Sequence, residues 1–176
     1  LILGDTTSDT PNLDGIMSDY GLKKVSGYIA DTQRCYQGNY YAIFPQLSLS
    51  GDLGSGISNQ MVLLLNSPGM EKTDTDNDNL TVTPFMQTSD SGYAVTENDQ
   101  TQGQYILGAV STNAISADSS DSDSEDEDDE SDATDTDTKT ARLTVLASAS
   151  MISSDITDQL TTLDNLTLFV NSVTEN

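Results

Sequence analysis

Histidine and tryptophan are absent from this chain of 176 residues, and Cys35 is its single cysteine. Without histidine a Ser-His-Asp triad cannot form, and the commonest general base and metal ligand of proteins is missing. One cysteine excludes an internal disulfide and a cysteine-based zinc cluster, and a nucleophilic Cys35 would lack its histidine base. These absences remove most classes of enzyme.

Basic residues are scarce as well, since six Lys+Arg stand against 29 Asp+Glu and the formal net charge is −23. Such a charge repels phosphate backbones and anionic lipid headgroups, so we expect no binding to nucleic acid and no attraction to an anionic membrane surface. No apolar run approaches the roughly 20 residues of a membrane-spanning helix. We therefore expect any membrane attachment to come from segments outside these residues.

Twelve of the 29 acidic residues lie within residues 118–137, a run without a basic residue and without an apolar side chain larger than Ala133. Such a segment cannot bury enough apolar surface to offset the entropy lost on ordering. We interpret residues 118–139 as a flexible, acidic low-complexity loop. Its carboxylates favour hard cations, so weak Ca²⁺ binding is the alternative to a plain solvated loop, although a flexible chain supplies no fixed cage.

Helical patterns occur at both ends of the chain, at residues 10–21 and 163–173, where apolar side chains recur at helical spacing. The segments with strand patterns lie between them, at residues 25–29, 40–44, 61–65, 80–86, 104–110 and 141–147. The last two flank the acidic run, so we expect them to pair as neighbouring strands across it. The sequence predicts one domain over 1–176, with an α/β fold in which helices flank a mixed open sheet.

Asp74, Asp76 and Asp78 match the first three ligand positions of a calcium-binding EF-hand loop. That loop needs glycine at its sixth position and glutamate at its twelfth, where this chain has Asn79 and Phe85. The motif is therefore incomplete, and an acidic surface loop accounts for the three carboxylates.

The glycines within residues 51–56 have the wrong spacing for a dinucleotide-binding loop or a P-loop. Carboxylate pairs, as in glycosidases, are the acid–base chemistry that remains. Glycosidase sites normally carry aromatic platforms for the sugar, and aromatic residues make up only 6% of this chain. We therefore predict that the chain is not an enzyme, with no catalytic, cofactor-binding or metal-binding residues.

Four segments of the chain resemble one protein family. PNLDGIMSDYGLKKVSGYIAD, at 11–31, resembles a pattern in which a helix ends at a Tyr-Gly pair and leads into a strand. YYAIFPQLS at 40–48 and VTPFMQTSDSGYAV at 82–95 resemble its "P-x-I" strand and its "V-x-P-L-L-x-TS-x-x-AY" segment. ARLTVLASASMISSDITDQLTTLDNLTLFVNSV, at 141–173, resembles its last strand and the helix beyond it. In this order the segments resemble the GldG-like family, the auxiliary component of an ABC-type transport system.

The resemblance implies a non-catalytic domain at the extracytoplasmic face of the bacterial cell membrane. The domain would be part of a larger protein, held by membrane helices outside these residues. Its expected partners are the permease or ATPase subunits of the ABC transporter, or another envelope protein. The resemblance also implies a truncated sheet like that of class I glutamine amidotransferases, flavodoxin-like and without their catalytic Cys and His, which preceding strands and helices would complete.

The chain departs from the family pattern after the last strand. The family's Gly-Asp-Ser motif is replaced by residues 147–150, Ala-Ser-Ala-Ser, which argues against a polar ligand site there. The resemblance still implies that Asn165 opens a helix and that Leu166, Phe169 and Val170 pack it against the domain.

A second function from another class also fits the composition, namely a cell-surface structural or adhesion module whose acidic loop attracts cations. Adjacent transmembrane segments and a neighbouring ATPase would favour the transport function. A cell-wall anchor or tandem repeats would favour adhesion.

Overall fold

The computed structural model of the protein describes residues 1–5, 10–115 and 139–174. Of the flexible loop predicted over 118–139, residues 118–138 lie outside the described residues, and Lys139 is the first residue of a strand. The described chain is mixed α/β and consists mostly of strands, which confirms the predicted class at that level. Its strands are β1 (Ile2–Leu3), β2 (Leu22–Val25), β3 (Tyr28–Asp31), β4 (Cys35–Tyr36), β5 (Asn39–Ile43), β6 (Gln46–Leu47), β7 (Leu64–Leu65), β8 (Gly69–Lys72), β9 (Leu80–Gln87), β10 (Gly92–Val95), β11 (Gln100–Gln102), β12 (Ile106–Ile115) and β13 (Lys139–Leu146).

The helices described are short. They are α1 (Pro11–Asp19), α2 (Ser154–Thr157) and α3 (Asn165–Thr174), with 3₁₀ helices at Gly51–Gly54 and Ala149–Ile152. None of the described helices has both the length and the apolar character needed to cross a membrane.

A curled open sheet of seven strands organises the domain around β12. One edge of β12 pairs with β9, which in turn pairs with β6, and the other edge pairs with β13 and, at Ile106, with β8. β2 extends the sheet beyond β8, and β1 lies beside β13 as the one parallel pair among the described strands. The long antiparallel ladder between β12 and β13 runs from Gly108 opposite Leu146 to Ile115 opposite Lys139. This ladder confirms that the strands flanking the acidic run are neighbours.

Two three-stranded sheets accompany the seven-stranded sheet. One has the strand order β11–β10–β3, and the other has the order β4–β5–β7. The β4–β5 hairpin turns at Gln37 and Gly38, which both have positive φ, as a two-residue hairpin turn requires.

A continuous apolar core lies between the sheet strands and the helices. Its fully buried side chains include Leu22, Phe85, Met86, Leu107 and Leu146. A smaller cluster around Ala42, Leu63 and Ile156 packs α2 against the β4–β5–β7 sheet. Apolar burial of this kind is the main favourable contribution to folding, at about 25 cal/mol per Å².

The predicted strand over residues 25–29 is wrong, because the chain turns in the middle of it. β2 ends at Val25 and β3 begins at Tyr28, with Gly27 between them at φ +86°. The predicted strand at 61–65 is also shorter, since only Leu64 and Leu65 pair in a ladder. Residues 62–64 are buried, but burial alone does not make a residue part of a sheet.

Helix α3 turns a different face to the core than its apolar pattern predicts. Leu166 and Val170 are 51% and 53% exposed, so the expectation that they pack against the domain is wrong. Leu168 and Ser172 are buried instead, and the Ser172 hydroxyl donates to the Leu168 carbonyl oxygen at 2.8 Å. Phe169 packs against the core as expected. A polar side chain can occupy the buried face because its hydrogen bond is made within the helix.

Candidate functional site

The outer face of the β3–β10–β11 sheet carries aromatic and polar side chains. Tyr28 of β3 lies opposite Val95 of β10, and Ala30 lies opposite Tyr93. On the other side of β10, Gln100 of β11 lies opposite Val95. Because side chains alternate along a strand, these five residues share one face, and the residues between them point to the core. The register of three strands therefore brings two tyrosines together on the surface.

Two more tyrosines, Tyr40 and Tyr41 of β5, border the same face. A cavity of about 550 Å³ lies between Tyr28, Tyr41 and Glu97. A second cavity of about 320 Å³ is lined by Tyr40, Tyr41 and Tyr93, so Tyr41 borders both. Tyr28, Tyr40 and Tyr41 are 43%, 50% and 36% exposed. We call the set Tyr28, Tyr40, Tyr41 and Tyr93 the tyrosine face.

Two left-handed turns hold the tyrosine face in shape. Gly27 packs so closely on the next strand that a side-chain carbon added there would overlap the carbonyl of Val95. Asn66 has φ +47°, which asparagine tolerates better than most residues, and its N–H donates to the carbonyl oxygen of Tyr41 at 3.0 Å. Both residues line the 550 Å³ cavity, so these turns fix Tyr28 and Tyr41 at its edges.

The polar groups along the tyrosine face can accept and donate hydrogen bonds. They are the exposed carboxylate of Glu97, the amides of Asn66 and Gln100, and the hydroxyl of Thr32. Among the described residues that line the two cavities there is no lysine, arginine or cysteine. The arrangement offers ring faces, amides and one carboxylate, which suits binding by stacking and hydrogen bonding.

Arg34, the arginine nearest to Tyr28 along the chain, hydrogen-bonds to backbone oxygens outside the tyrosine face. The Arg34 Nε donates to the carbonyl oxygen of Phe44 at 2.7 Å, and its Nη2 donates to that of Pro45 at 3.3 Å. The side chain thus satisfies backbone acceptors where β5 ends, and it does not line the tyrosine face.

Asp31 is fully buried beneath this sheet and collects four hydrogen bonds. Its Oδ1 accepts from the backbone N–H groups of Gln33 and Arg34, each at 2.9 Å, and from the Ser89 hydroxyl at 2.9 Å. Its Oδ2 accepts from the Ser89 backbone N–H at 2.7 Å. Burial raises the pKa of Asp31, but the donors from Ser89, Arg34 and Gln33 outweigh it, so the pKa lies below its usual value. The Asp31 carboxylate therefore links the turn after β3, which contains Gln33 and Arg34, to the turn after β9, which contains Ser89.

A second buried carboxylate, Asp164, accepts hydrogen bonds from the segment of chain that precedes β7. Its oxygens accept from the Ser58 backbone N–H and hydroxyl at 3.2 Å, from the Asn59 N–H at 2.9 Å and from the Met61 N–H at 3.4 Å. Burial again raises the pKa, and the hydrogen bonds from Ser58, Asn59 and Met61 lower it below the usual value. A carboxylate held ionised in this way does not serve as a general acid near neutral pH.

Asn165 begins α3, as the sequence predicts, and it is buried. Its side-chain oxygen accepts from the Leu63 N–H at 2.9 Å, and its amide nitrogen donates to the carbonyl oxygens of Leu63 at 2.8 Å and Met151 at 2.9 Å. The side chain therefore satisfies the backbone of a buried segment that has no strand partner at Leu63.

The residues singled out from the sequence do not come together. Asp74, Asp76 and Asp78 are exposed in the connection between β8 and β9. In the described ranges, no three Asp, Glu, Cys or His side chains are placed to hold a metal ion. Cys35 lies half-buried in β4, not in a loop. The glycine-rich segment 51–56 begins with a 3₁₀ helix.

A further cavity of about 230 Å³ separates α1 from the sheet. Aliphatic side chains from both sides line it, including Leu3, Leu13, Met17, Met70 and Val145. Met17 is the one buried residue of α1, so this helix is seated on the sheet over a small contact. Asp5, Thr10, Asp14 and Lys24 also line the cavity, so its lining is not wholly apolar.

The sequence analysis missed the tyrosine face because its members are far apart along the chain. The separation from Tyr28 to Tyr93 spans much of the domain, and only the strand register brings the two rings to one surface. The adjacent pair Tyr40 and Tyr41 in a strand pattern is the signal that could have been used, because one of two neighbours in a strand must face outward.

Comparisons with protein-family models, with curated proteins and with solved structures found no match to this chain.

Proposed function

We propose that this protein is a non-catalytic binding domain of a membrane-anchored auxiliary protein in an ABC-type transport system. The domain acts at the extracytoplasmic face of the bacterial cell membrane and contacts the permease, and through it the ATPase subunit, or another envelope protein. The observation that carries the proposal is the tyrosine face, because exposed tyrosines around a concave surface are typical of protein contact sites.

The positions of the family-like motifs support the proposal. Asp31, which ends the first motif segment, accepts hydrogen bonds from Ser89 of the "TS" segment. Asn165, in the last segment, closes the backbone around Leu63. Segments that resemble one family in sequence therefore make long-range contacts with scaffolding roles, which is what a shared fold would require. Neither Asp31 nor Asn165 lines the cavities of the tyrosine face, so this surface is available for contact with the partner.

The likeness to class I glutamine amidotransferase domains is part of the same proposal. Its support is the parallel pairing of β1 with β13, in which Ile2 lies opposite Val145 and Leu3 opposite Leu146. β1 is an edge strand of the described sheet, so further parallel strands could be added beside it. The remaining described ladders are antiparallel, and those of the β11–β10–β3 sheet form part of the tyrosine face.

Site-specific photo-crosslinking in the native membrane tests the proposed function. A benzophenone amino acid is placed at Tyr40, the most exposed ring of the tyrosine face, and in a second strain at Leu166 on the outer side of α3. Mass spectrometry then identifies the crosslinked proteins. Recovery of an ABC permease or ATPase from position 40 but not from position 166 supports the proposal.

The alternative outcomes are informative in different ways. Crosslinks only to wall polymers or surface proteins would replace the transport function by the adhesion function. Transport components recovered from position 166 but not from position 40 would keep the transport function and move the contact away from the tyrosine face.

A further inference from the structure

We infer that the tyrosine face binds a positively charged peptide segment of its partner, with lysine or arginine side chains placed over the tyrosine rings. This inference rests on the proposed function, in that it takes the tyrosine face to be the contact surface. It adds the chemical class of the partner segment, which the resemblance to a transport family does not specify.

The charge distribution is the first argument. The chain carries six basic residues against 29 acidic ones, and no basic residue lines the two cavities of the tyrosine face. Arg34, the arginine nearest in sequence to Tyr28, is bound to the carbonyl oxygens of Phe44 and Pro45. Lys24, the basic residue nearest in sequence, lines the cavity beside α1 and neither cavity of the tyrosine face. The field at this surface is therefore negative, and a negative field raises the local concentration and the association rate of a cationic ligand.

The geometry of the rings is the second argument. Lysine and arginine are attracted to the face of an aromatic ring within about 6 Å, and each exposed contact of this kind contributes about 0.5–1 kcal/mol. Tyr28 and Tyr41 border the same cavity as Glu97, so a cation between the rings would also lie near a carboxylate. Exposed rings beside a carboxylate form a site for an ammonium or guanidinium group.

The two cavities lie side by side, which favours a peptide over a single amine. Tyr41 and Val95 line both cavities, so an extended ligand that crosses these two residues would contact both. Asn66 lies at one cavity and Gln100 at the other, and their exposed amides can hydrogen-bond a peptide backbone. A neutral glycan could stack on the same rings, but it would gain nothing from the negative field.

Nuclear magnetic resonance titration of the 15N-labelled 176-residue chain tests the inference. The probe is the blocked peptide acetyl-(Gly-Lys)4-amide, the first control is the same peptide with its lysines acetylated, and the second control is chitotetraose. We expect the lysine peptide to shift the resonances of Tyr28, Tyr41, Tyr93 and Glu97, and we expect its affinity to fall as salt is added. The acetylated peptide and chitotetraose should cause no such shifts.

Substitutions separate ring chemistry from apolar contact. Tyr41→Phe keeps the aromatic face and should change Kd by less than about twofold, whereas Tyr41→Leu should weaken binding about two- to fivefold. Glu97→Gln should weaken binding and reduce its salt dependence. Asp52→Asn is the charge-matched control, because Asp52 is exposed on the 3₁₀ helix Gly51–Gly54 and lines neither cavity; it should leave Kd unchanged. Tyr40→Leu, at the most exposed ring, repeats the test if Tyr41→Leu fails to fold.

Three results would overturn the inference: shifts confined to residues 118–137, equal binding of the acetylated peptide, or equal affinity of Tyr41→Leu and Tyr41→Phe. Binding of chitotetraose at the same rings in place of the lysine peptide would assign the surface to a glycan. Each of these results leaves the crosslinking test untouched. A transport component captured at position 40 would then preserve the proposed function with a partner of different chemistry.

Discussion

Ser89 donates two hydrogen bonds to the buried Asp31, one from its backbone N–H to Oδ2 at 2.7 Å and one from its hydroxyl to Oδ1 at 2.9 Å. The two residues are far apart in sequence, and the contact closes the turn after β9 onto the turn after β3. Asp31 is the last residue of β3, the strand that carries Tyr28, so this pair also fixes one end of a strand of the tyrosine face.

Replacing the Asp31 carboxylate should destabilise the fold. In Asp31→Asn the side chain loses its charge and presents an amide N–H₂ to backbone donors, so we expect the free energy of unfolding to fall by about 3 kcal/mol. Denaturant unfolding followed by circular dichroism measures the change. Asp90→Asn is the matched control, because Asp90 is exposed next to Ser89, and it should change stability by less than about 0.5 kcal/mol. Equal effects of the two substitutions would contradict the role given to Asp31.

The two buried carboxylates also predict a pH dependence. The pKa values of Asp31 and Asp164 lie below the ordinary 3.8, so the folded state binds fewer protons than the unfolded state as pH falls through that range. Their stabilising contribution is therefore complete above about pH 5 and is lost as pH falls below 3.8 towards the lowered pKa values.

A variant comparison isolates this dependence from the other acidic residues. The double variant Asp31→Asn, Asp164→Asn should be less stable than the original chain at pH 7, and the difference should shrink as pH falls from 4 to 2. Urea unfolding at several pH values provides the measurement. A difference that stays constant or grows on acidification would show that neither pKa is lowered.

Two neighbouring rungs of the β12–β13 ladder should respond in opposite directions. Thr144 is fully buried, and its hydroxyl has no hydrogen-bond partner among the described residues, so Thr144→Val should stabilise the protein by about 1 kcal/mol. Ser111 is equally buried, but its hydroxyl donates to the Tyr20 carbonyl oxygen at 2.7 Å, so Ser111→Ala should cost about 1–2 kcal/mol. Thermal unfolding compares them, and destabilisation by Thr144→Val would reveal a partner for its hydroxyl.

The turn between β2 and β3 predicts a pair of opposite glycine effects. Gly27→Ala places a methyl group against the Val95 carbonyl at a positive φ and should destabilise the fold by about 2 kcal/mol or more. Gly15→Ala lies in α1 with open space around the new methyl group and should stabilise by about 0.5–1 kcal/mol. Differential scanning calorimetry resolves both changes. Tolerance of Gly27→Ala would mean that the chain can turn into β3 by another route.

Deleting residues 118–137 should have little effect on stability. The deleted run has no apolar side chain larger than Ala133, and the strands on its two sides pair independently up to Ile115 opposite Lys139. We expect the melting temperature to change by less than about 4 °C, which corresponds to under roughly 1 kcal/mol. A large fall would show that the run packs on the domain or holds an ion.

The sequence predicted the long elements well and the short ones poorly. β9, β13, α1 and α3 have patterns that persist over many residues, so each lies close to its predicted position. β12 was predicted at 104–110, and the strand instead starts at Ile106 and extends five residues further, to Ile115. The short strands around Gly27 depend on one positive φ and on contacts with distant turns, which periodicity does not record.

The incorrect prediction of which face of α3 is buried has a different physical cause. Leu166 and Val170 form the more apolar stripe, yet the core takes Leu168 together with Ser172 and Asn165. The polar members of that face satisfy their hydrogen bonds internally or with the backbone at Leu63. A hydrophobicity pattern cannot anticipate the partner of Asn165, because Leu63 lies 102 residues away along the chain.

The distribution of tyrosines gives the protein an intrinsic optical reporter. Four of its seven tyrosines form the tyrosine face, and there is no tryptophan to absorb or emit at longer wavelength. Near-ultraviolet absorbance, circular dichroism and emission therefore come largely from the surface that we assign to the partner. Occupation of that surface can be followed on the unlabelled protein, while the acidic segment, which contains no aromatic residue, stays spectroscopically silent.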